Sequence, residues 1–499
     1  MKYDVLTEPW ITVVTLDGKT EGAGIRTFFE KAHLYREIVY DSPLEVYAVQ
    51  RMLIAFLMDA YSLERARDRK KLLQKGRFDM DVIERYIAAC RAEGVTFDLF
   101  DKDRPFMQAP YDAELDGEPA PAAKLFFSVP KGTKHIHFDH SFQFDHFYSP
   151  AQCLRGILAT QVFAIPDGSG YKYSVNGGMG YYVLISGKNL FEQLVLNMLS
   201  INESKPMTWD DQPIAWRDSS PLIPKLEYAD VSILCGMTWQ SRRITLISDE
   251  KGMVREVYYQ QGRCFKQNGR WRDPHVSFKE GKLLKPEAGR EPWRDIGALA
   301  MSATGKDCDA ATVIKQLEYL DVPYDFALLK IFSLQQGDNQ AKILCVVSDT
   351  MNIPTNILES YEKGDRLRTD MAFIEEVAEE LYNTVRKFEI SQYNDKKGTK
   401  AKKKVGWANN AQAEFFDRIH TFIFSEYLPV LGKADTAIPG WQKEAMDLLT
   451  DTAIAIADEI VSEYYVRFSD TARCLKAQVK AEQSYHATMM KLKKGRENQ

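Results

Sequence analysis

The densest set of potential metal ligands in the 499-residue sequence is His135-Ile136-His137-Phe138-Asp139-His140, an HxHxDH pattern. Imidazoles and a carboxylate so spaced can hold one or two zinc ions. A bound zinc lowers the pKa of its water enough to make a nucleophile at neutral pH. Two glycine-rich segments follow, Pro166-Asp167-Gly168-Ser169-Gly170 and Asn176-Gly177-Gly178-Met179-Gly180. Glycine lets a backbone approach a ligand closely because no Cβ intervenes, although most loop glycines simply mark turns. A lysine run contains Lys396, Lys397, Lys400, Lys402, Lys403 and Lys404. Such a run is either a solvated loop between helices or a patch that neutralises phosphates. The residues alone leave both readings open.

Several chemistries are disfavoured. The HxHxDH segment is similar to the metal-ligand motif of metallo-β-lactamase-fold hydrolases, but that family supplies further His and Asp ligands downstream. Here the later histidines are His146, His275, His420 and His486, at other intervals, and the surrounding chain does not read as repeated βαβ. The favoured reading is a polar loop whose aromatics pack against a partner; a metal-dependent hydrolase using His135, His137, Asp139 and His140 is the alternative. There is no GxxxxGK[ST], no GxGxxG after a strand and no GxSxG. The seven cysteines form no CxxC pair, which argues against zinc ribbons and for reduced thiols. A net charge of −5 confines any nucleic-acid contact to local patches, or to a partner that supplies the rest of the charge. The start of the chain lacks the pattern of a secretory leader, and no run of about 18 apolar residues occurs. The expectation is a cytoplasmic protein.

The elements that must position these residues are readable in outline. Trp10–Thr15 is β-rich, with a turn at Asp17-Gly18. Ser42-Pro43-Leu44-Glu45 and Ser149-Pro150-Ala151-Gln152 both predict helix starts with a capping box. Val46, Val49, Leu53, Phe56 and Leu57 continue the first at helical spacing; Leu154, Leu158 and Val162 continue the second. Leu190–Leu199 predicts a further helix. Val231 to Phe278 reads as β structure, and 327–334 with 343–347 as strand, turn, strand around Asp338-Asn339-Gln340. In the last ~135 residues, Met371, Ile374, Ala378, Leu381, Val385 and Phe388 form a helical stripe, followed by periodic runs over 412–428, 441–468 and 471–492. The fold class expected is α+β: a mixed N-terminal domain over 1–363, then an antiparallel four-helix bundle over 364–499.

Taken in order, Leu6-Thr7-Glu8-Pro9-Trp10-Ile11, Phe97-Asp98-Leu99-Phe100, Pro105-Phe106-Met107-Gln108, Ser149-Pro150-Ala151-Gln152, Gln161-Val162-Phe163-Ala164 with its glycine-rich loop, Leu190-Phe191 with Leu196-Asn197, and Gly236-Met237-Thr238-Trp239-Gln240 resemble one family. It is the large subunit of the type I-E CRISPR Cascade surveillance complex, the CasA family. The resemblance covers essentially the whole chain.

It implies a non-enzymatic subunit that works with the other Cascade subunits and a guide crRNA. That subunit inspects the PAM (the short motif beside the target) in double-stranded DNA, helps open the duplex, and helps recruit a helicase–nuclease. By the same resemblance, Gly168, Ser169 and Gly170 form a loop entering the PAM minor groove. Lys279 and Asn339 contact the PAM, and Gln340 is the wedge between base pairs. The loop around His135, His137, Phe138, His140 and Phe142 matches, by position only, the segment that anchors the subunit near the guide RNA. The lysines of 396–404 become a candidate DNA-backbone contact. Some family members carry cysteine pairs that look like a zinc site; this chain does not, so no metal or cofactor is expected.

Overall fold

The computed structural model describes residues 2–128, 146–166, 168, 170–300, 308–320, 322, 324–337, 343–393, 406–466 and 472–497. The chain separates into two compact units. One comprises residues 1–292, 303–323 and 327–351; the other comprises 293–302, 324–326 and 352–499. Helices and strands are mixed, as the α+β reading expects.

The first unit opens with an antiparallel sheet of β1 (Ile11–Thr15), β2 (Thr20–Ala23) and β3 (Tyr35–Ile38), with β1 central. Helix α1 (Pro43–Tyr61) follows, and residues 52–58 are all buried. A helix buried on every side is a core element, not a surface one. Its expected capping box does not form: the Ser42 side chain makes no capping bond. Glu45, the other half of the box, instead accepts from Arg155 Nε at 2.9 Å, and the charged partner wins over a backbone amide. After α2 (Ala66–Lys75), α3 (Pro150–Val162) carries a complete box between Ser149 and Gln152.

Two further expectations are corrected. The helix at Leu190 stops at Leu196, not Leu199. The Asn197 amide takes the backbone N–H of Ile185 at 2.9 Å and donates to the Ile185 and Gln193 carbonyls, both at 2.7 Å, so it caps the helix and pairs the strand at once. Within the supposed β region, Ile233–Met237 is helical and fully buried. A short apolar run fits either state, and here Ser232 fixes the helical entry by donating to the Gln212 carbonyl at 2.6 Å.

Strand β4 (Tyr182–Ile185) lies beyond the glycine segments. Strands β5 (Arg242–Ser248) and β6 (Val254–Gln261) form an antiparallel hairpin, with Arg242 opposite Gln261. Short strands β7 (Phe278–Lys279), β8 (Lys282–Leu283) and β9 (Cys308–Asp309) make a small sheet with β7 central. The two strands expected on either side of 338 are present: β10 (Phe326–Gln336) lies between β4 and β11 (Ile343–Pro354), and residues 338–342 lie outside the described residues.

In the second unit, α4 (Tyr361–Tyr393) carries the expected stripe, buried from Met371 to Phe388, and packs against α5 (Trp407–Phe422), α6 (Lys443–Val466) and α7 (Ala472–Glu497). Asp370 of α4, fully buried, accepts from Arg366 Nε at 2.8 Å, from Arg496 of α7 and from the Tyr427 hydroxyl. The helix expected over 412–428 is broken by a π-turn at Ile423–Tyr427 before continuing to Lys433. Pro429 has no N–H to give and its ring crowds the preceding turn, which the wider π-turn relieves.

Candidate nucleic-acid interface

The first glycine segment is the tip of a loop spanning 164–174. Its neck is closed by Ser174 N–H donating to the Ala164 carbonyl at 3.1 Å. Beneath it lies Arg242, 1% exposed. Its guanidinium donates to the carbonyls of Lys172 at 3.0 Å and Ile165 at 2.6 Å, and its carbon sits 5.0 Å from the Tyr171 ring centroid. The Tyr171 hydroxyl donates to the Tyr259 carbonyl at 3.1 Å, and Lys172 N–H to Gln261 Oε1 at 2.8 Å. Among the described residues no carboxylate pairs with Arg242, so the loop rests on a buried positive charge.

The tip itself is open. Gly168 has φ +120° and Gly170 φ +86°, both exposed, a backbone region costly to side-chain-bearing residues. A Cβ on Gly170 would stand 3.2 Å from Lys225 Nζ. Lys225, itself at φ +63°, is thus delivered to the loop from 55 positions along the chain. Ser169 lies outside the described residues.

The second glycine segment serves packing. A Cβ at Gly180 would come 2.8 Å from Leu283, and one at Gly178 3.1 Å from Lys285. Both glycines let the β7–β8 hairpin close in, where Tyr181 N–H donates to the Leu284 carbonyl at 3.0 Å. Glu280 (φ +51°) and Gly281 (φ +71°) form the two-residue turn of that hairpin, the geometry that matches strand twist. Lys279 is exposed at its end, opposite Lys282.

A buried polar cluster fixes the hairpin's root. Arg51 pairs with Asp273 at 2.8 Å, the two side chains 3% and 1% exposed. Asn176 Nδ2 donates to Asp273 Oδ2 and to the Tyr182 hydroxyl, each at 3.0 Å, and Trp271 Nε1 donates to Asn176 Oδ1 at 2.7 Å. Burial alone would push the Asp273 carboxyl up, but the charge and hydrogen bonds of Arg51 outweigh it and hold it below the ordinary carboxylate value. His275 is held neutral. Burial, with the Arg51 charge adding, pushes its pKa down to about 4. Its Nε2 donates to the Asn197 carbonyl at 3.0 Å, and Nδ1 accepts from the Tyr47 hydroxyl at 3.2 Å.

The end of β10 meets both glycine segments. Ser333 Oγ donates to the Gly180 carbonyl at 2.8 Å, and the Tyr173 hydroxyl to Gln336 Oε1 at 3.1 Å. Gln336 stands just before Gly337 and the Asp338-Asn339-Gln340 sequence. Gly168, Gly170, the Lys279 hairpin and the end of β10 are therefore tied to one frame around β4. Asn339 and Gln340 themselves lie outside the described residues, as do His135, His137, Phe138, Asp139, His140, Phe142 and the six lysines from Lys396 to Lys404. Sequence reasoning missed Lys225 and Arg242. No local pattern marks them, since the loop residues they meet are 55 or more positions away.

Among the described residues, no three His, Cys, Asp or Glu side chains are grouped to hold a metal ion. No described helix is long and apolar enough to cross a membrane.

Comparison with known proteins gives the chain's family. The family model of CRISPR-associated protein Cse1 matches residues 4–453. The CRISPR-associated protein CasA/Cse1 of Thermus thermophilus is 28% identical over 403 residues, which cover 74% of this chain and 76% of that protein. The crystal structure of Cse1 from Acidimicrobium ferrooxidans superposes with a TM-score of 0.79 at 21% identity, covering 99% of each chain. A chain of a CRISPR RNA-guided surveillance complex superposes at 0.74 with 18% identity, covering 97% of this chain and 99% of its own. The chain belongs to the CRISPR-associated Cse1 (CasA) family, the large subunit of the type I-E Cascade.

Proposed function

We propose that this chain is the PAM-inspecting subunit of a Cascade surveillance complex. It acts without a catalytic centre of its own, in the cytoplasm, beside the other Cascade subunits and a guide crRNA. In this reading the first ~360 residues present three loops to double-stranded DNA. The Gly168–Gly170 tip enters the minor groove, where only a residue without a side chain leaves the backbone room. Lys279 and Asn339 meet the groove's acceptors. That groove carries a degenerate pattern, so one Lys and one Asn discriminate loosely and tolerate several PAMs. Gln340 inserts between base pairs; pairing to the guide and contacts to the parted strands offset an unstacking cost of a few kcal/mol. The four long C-terminal helices form a bundle whose 396–404 lysines neutralise DNA phosphates. The opened complex then helps recruit the helicase–nuclease.

The observation that carries this reading is the pair of bonds from Tyr173 to Gln336 and from Ser333 to Gly180. They join the base of the glycine loop and the second glycine segment to the strand that precedes Asn339 and Gln340, so in this reading groove entry and wedge share one base. The test is DNA binding and strand opening by the reconstituted complex, with and without this chain, on targets with and without a PAM. PAM-dependent binding that needs the chain supports the reading. Gln340→Ala is expected to impair opening more than initial binding. Binding that is indifferent to the chain or to the PAM refutes it.

A further inference from the structure

The segment from Glu64 to Arg77 concentrates charge of one sign. It holds seven basic side chains against two acidic ones, net +5 in a chain whose net charge is −5. Most of this charge lies on α2. Arg69 is structural, being fully buried, donating to the Met198 carbonyl and pairing with Glu203 at 3.2 Å. With Leu72 it fixes the helix to the unit, and these are the two buried residues of α2.

Of the remaining basic residues, Lys70 is half-buried. Arg65, Arg67, Lys71, Lys75 and Arg77 are exposed. Arg67, Lys71 and Lys75 repeat every fourth residue, so they share one ridge, about 12 Å from first to last at 1.5 Å per residue. Like charges at this spacing repel. Two carboxylates stand at the outer edge of ion-pair reach and share the three cations. Asp68 lies 4.0 Å from Arg67 and 3.5 Å from Lys71, and Asp79 lies 4.0 Å from Lys75.

We propose that this α2 ridge is a contact for the phosphate backbone of double-stranded DNA, separate from the loops that inspect the PAM. A self-repelling cationic ridge is relieved by a polyanion, which gains counterion-release entropy on binding. Its length spans the rise of about three base pairs at ~3.4 Å each. The segment 64–77 contains no aromatic residue, so it lacks the stacking platform that single-stranded nucleic acid requires. Backbone contacts of this kind position a duplex and carry no sequence information. The inference rests on the reading that the chain meets duplex DNA, and adds a sequence-independent contact to it.

The test is a triple variant, Arg67→Gln, Lys71→Gln and Lys75→Gln, in the reconstituted complex. Binding to PAM-containing and PAM-less duplexes is measured across a salt series. Each lost phosphate contact lowers the slope of log K against log salt by about 0.9. Loss of two or three contacts therefore weakens binding about 30- to 170-fold at 0.15 M salt, extrapolating to equality at 1 M, and by the same factor on both duplexes. An unchanged slope overturns the proposal. So does a loss confined to PAM-containing DNA. Unchanged DNA binding with lost capture of the helicase–nuclease assigns the ridge to an acidic protein surface and overturns it too. If the triple variant melts early, Lys71→Gln alone still shows a slope change of about 0.9 or refutes the contact. If the wild-type complex is itself indifferent to the PAM, the function proposed above fails, and the slope alone judges the ridge.

Discussion

Replacing Asp273 by alanine strands a guanidinium that is almost wholly shielded from bulk solvent. Arg51 is 3% exposed and meets Asp273 through Nη2–Oδ2 at 2.8 Å and Nη1–Oδ1 at 3.0 Å. The same carboxylate accepts from Asn176 Nδ2 and from the backbone N–H of His275, each at 3.0 Å. Removing one side of a buried pair costs about 3–5 kcal/mol, because the surviving charge loses its compensation. At about 2 °C per kcal/mol for a large domain, the melting temperature of the first unit falls by roughly 6–10 °C. Arg51 keeps its bonds to the Met237 and Gly236 carbonyls at 3.0 and 3.2 Å, which places the loss toward the lower end. The double variant Arg51→Met with Asp273→Leu removes both charges and is expected to recover at least half of the loss. Calorimetry of the full chain at pH 7 measures both. DNA binding by the assembled complex is expected to fall as well, since Asn176 and the root of the Lys279 hairpin hang on Asp273. A shift below 2 °C for the single variant, or a double variant no better than the single, refutes the stranded-charge argument.

Stability is expected to fall in acid. His275 titrates at about 4 in the folded chain against about 6.5 unfolded. As pH drops through that window the unfolded state takes up the proton first, and up to about 3 kcal/mol is lost. Asp273, depressed when folded, adds a loss at lower pH still. His275→Gln is expected to flatten the melting profile between pH 6.5 and 4; equal slopes for both proteins would exclude His275 as the source. Gly170→Ala, forced to φ +86° beside Lys225, costs about 1–2 kcal/mol and is expected to weaken PAM-dependent binding severalfold in a filter or mobility assay while melting shifts by a few degrees. Ser149→Ala removes a formed capping box and costs about 1 kcal/mol. Ser42→Ala removes a side chain that caps nothing and is expected to stay within about 0.5 kcal/mol; equal losses in denaturant titrations would contradict the contrast.

That contrast marks where local reading stops. Ser42 and Ser149 introduce helices by the same four-residue device, yet one box forms and the other yields its glutamate to Arg155, 110 positions away. The stripe from Met371 to Phe388 is legible because helical burial repeats every 3.6 residues and needs no knowledge of the partner. Ile233–Met237 is not, because five apolar residues carry no period. The glycines illustrate the same limit within the interface. Sequence marks both clusters alike, whereas the structure keeps Gly168 and Gly170 exposed at a tip and uses Gly178 and Gly180 to seat Leu283 and Lys285.

By itself the sequence determined the helix starts, the C-terminal periodicity, the strands over 327–334 and 343–347 and, through ordered motifs, the family. These depend on neighbours within a few positions, or on short runs whose order survives in one dimension. Only the tertiary structure decided that Arg51, Asn176 and Asp273 share one buried pair and hydrogen-bond set, that Arg242 underlies the glycine loop, and that Tyr173 meets Gln336. The reason is physical: a charge is tolerated in a core only where a partner or a set of carbonyls satisfies it. That partner is set by which distant segments the packing brings together, 222 positions apart for Arg51 and Asp273.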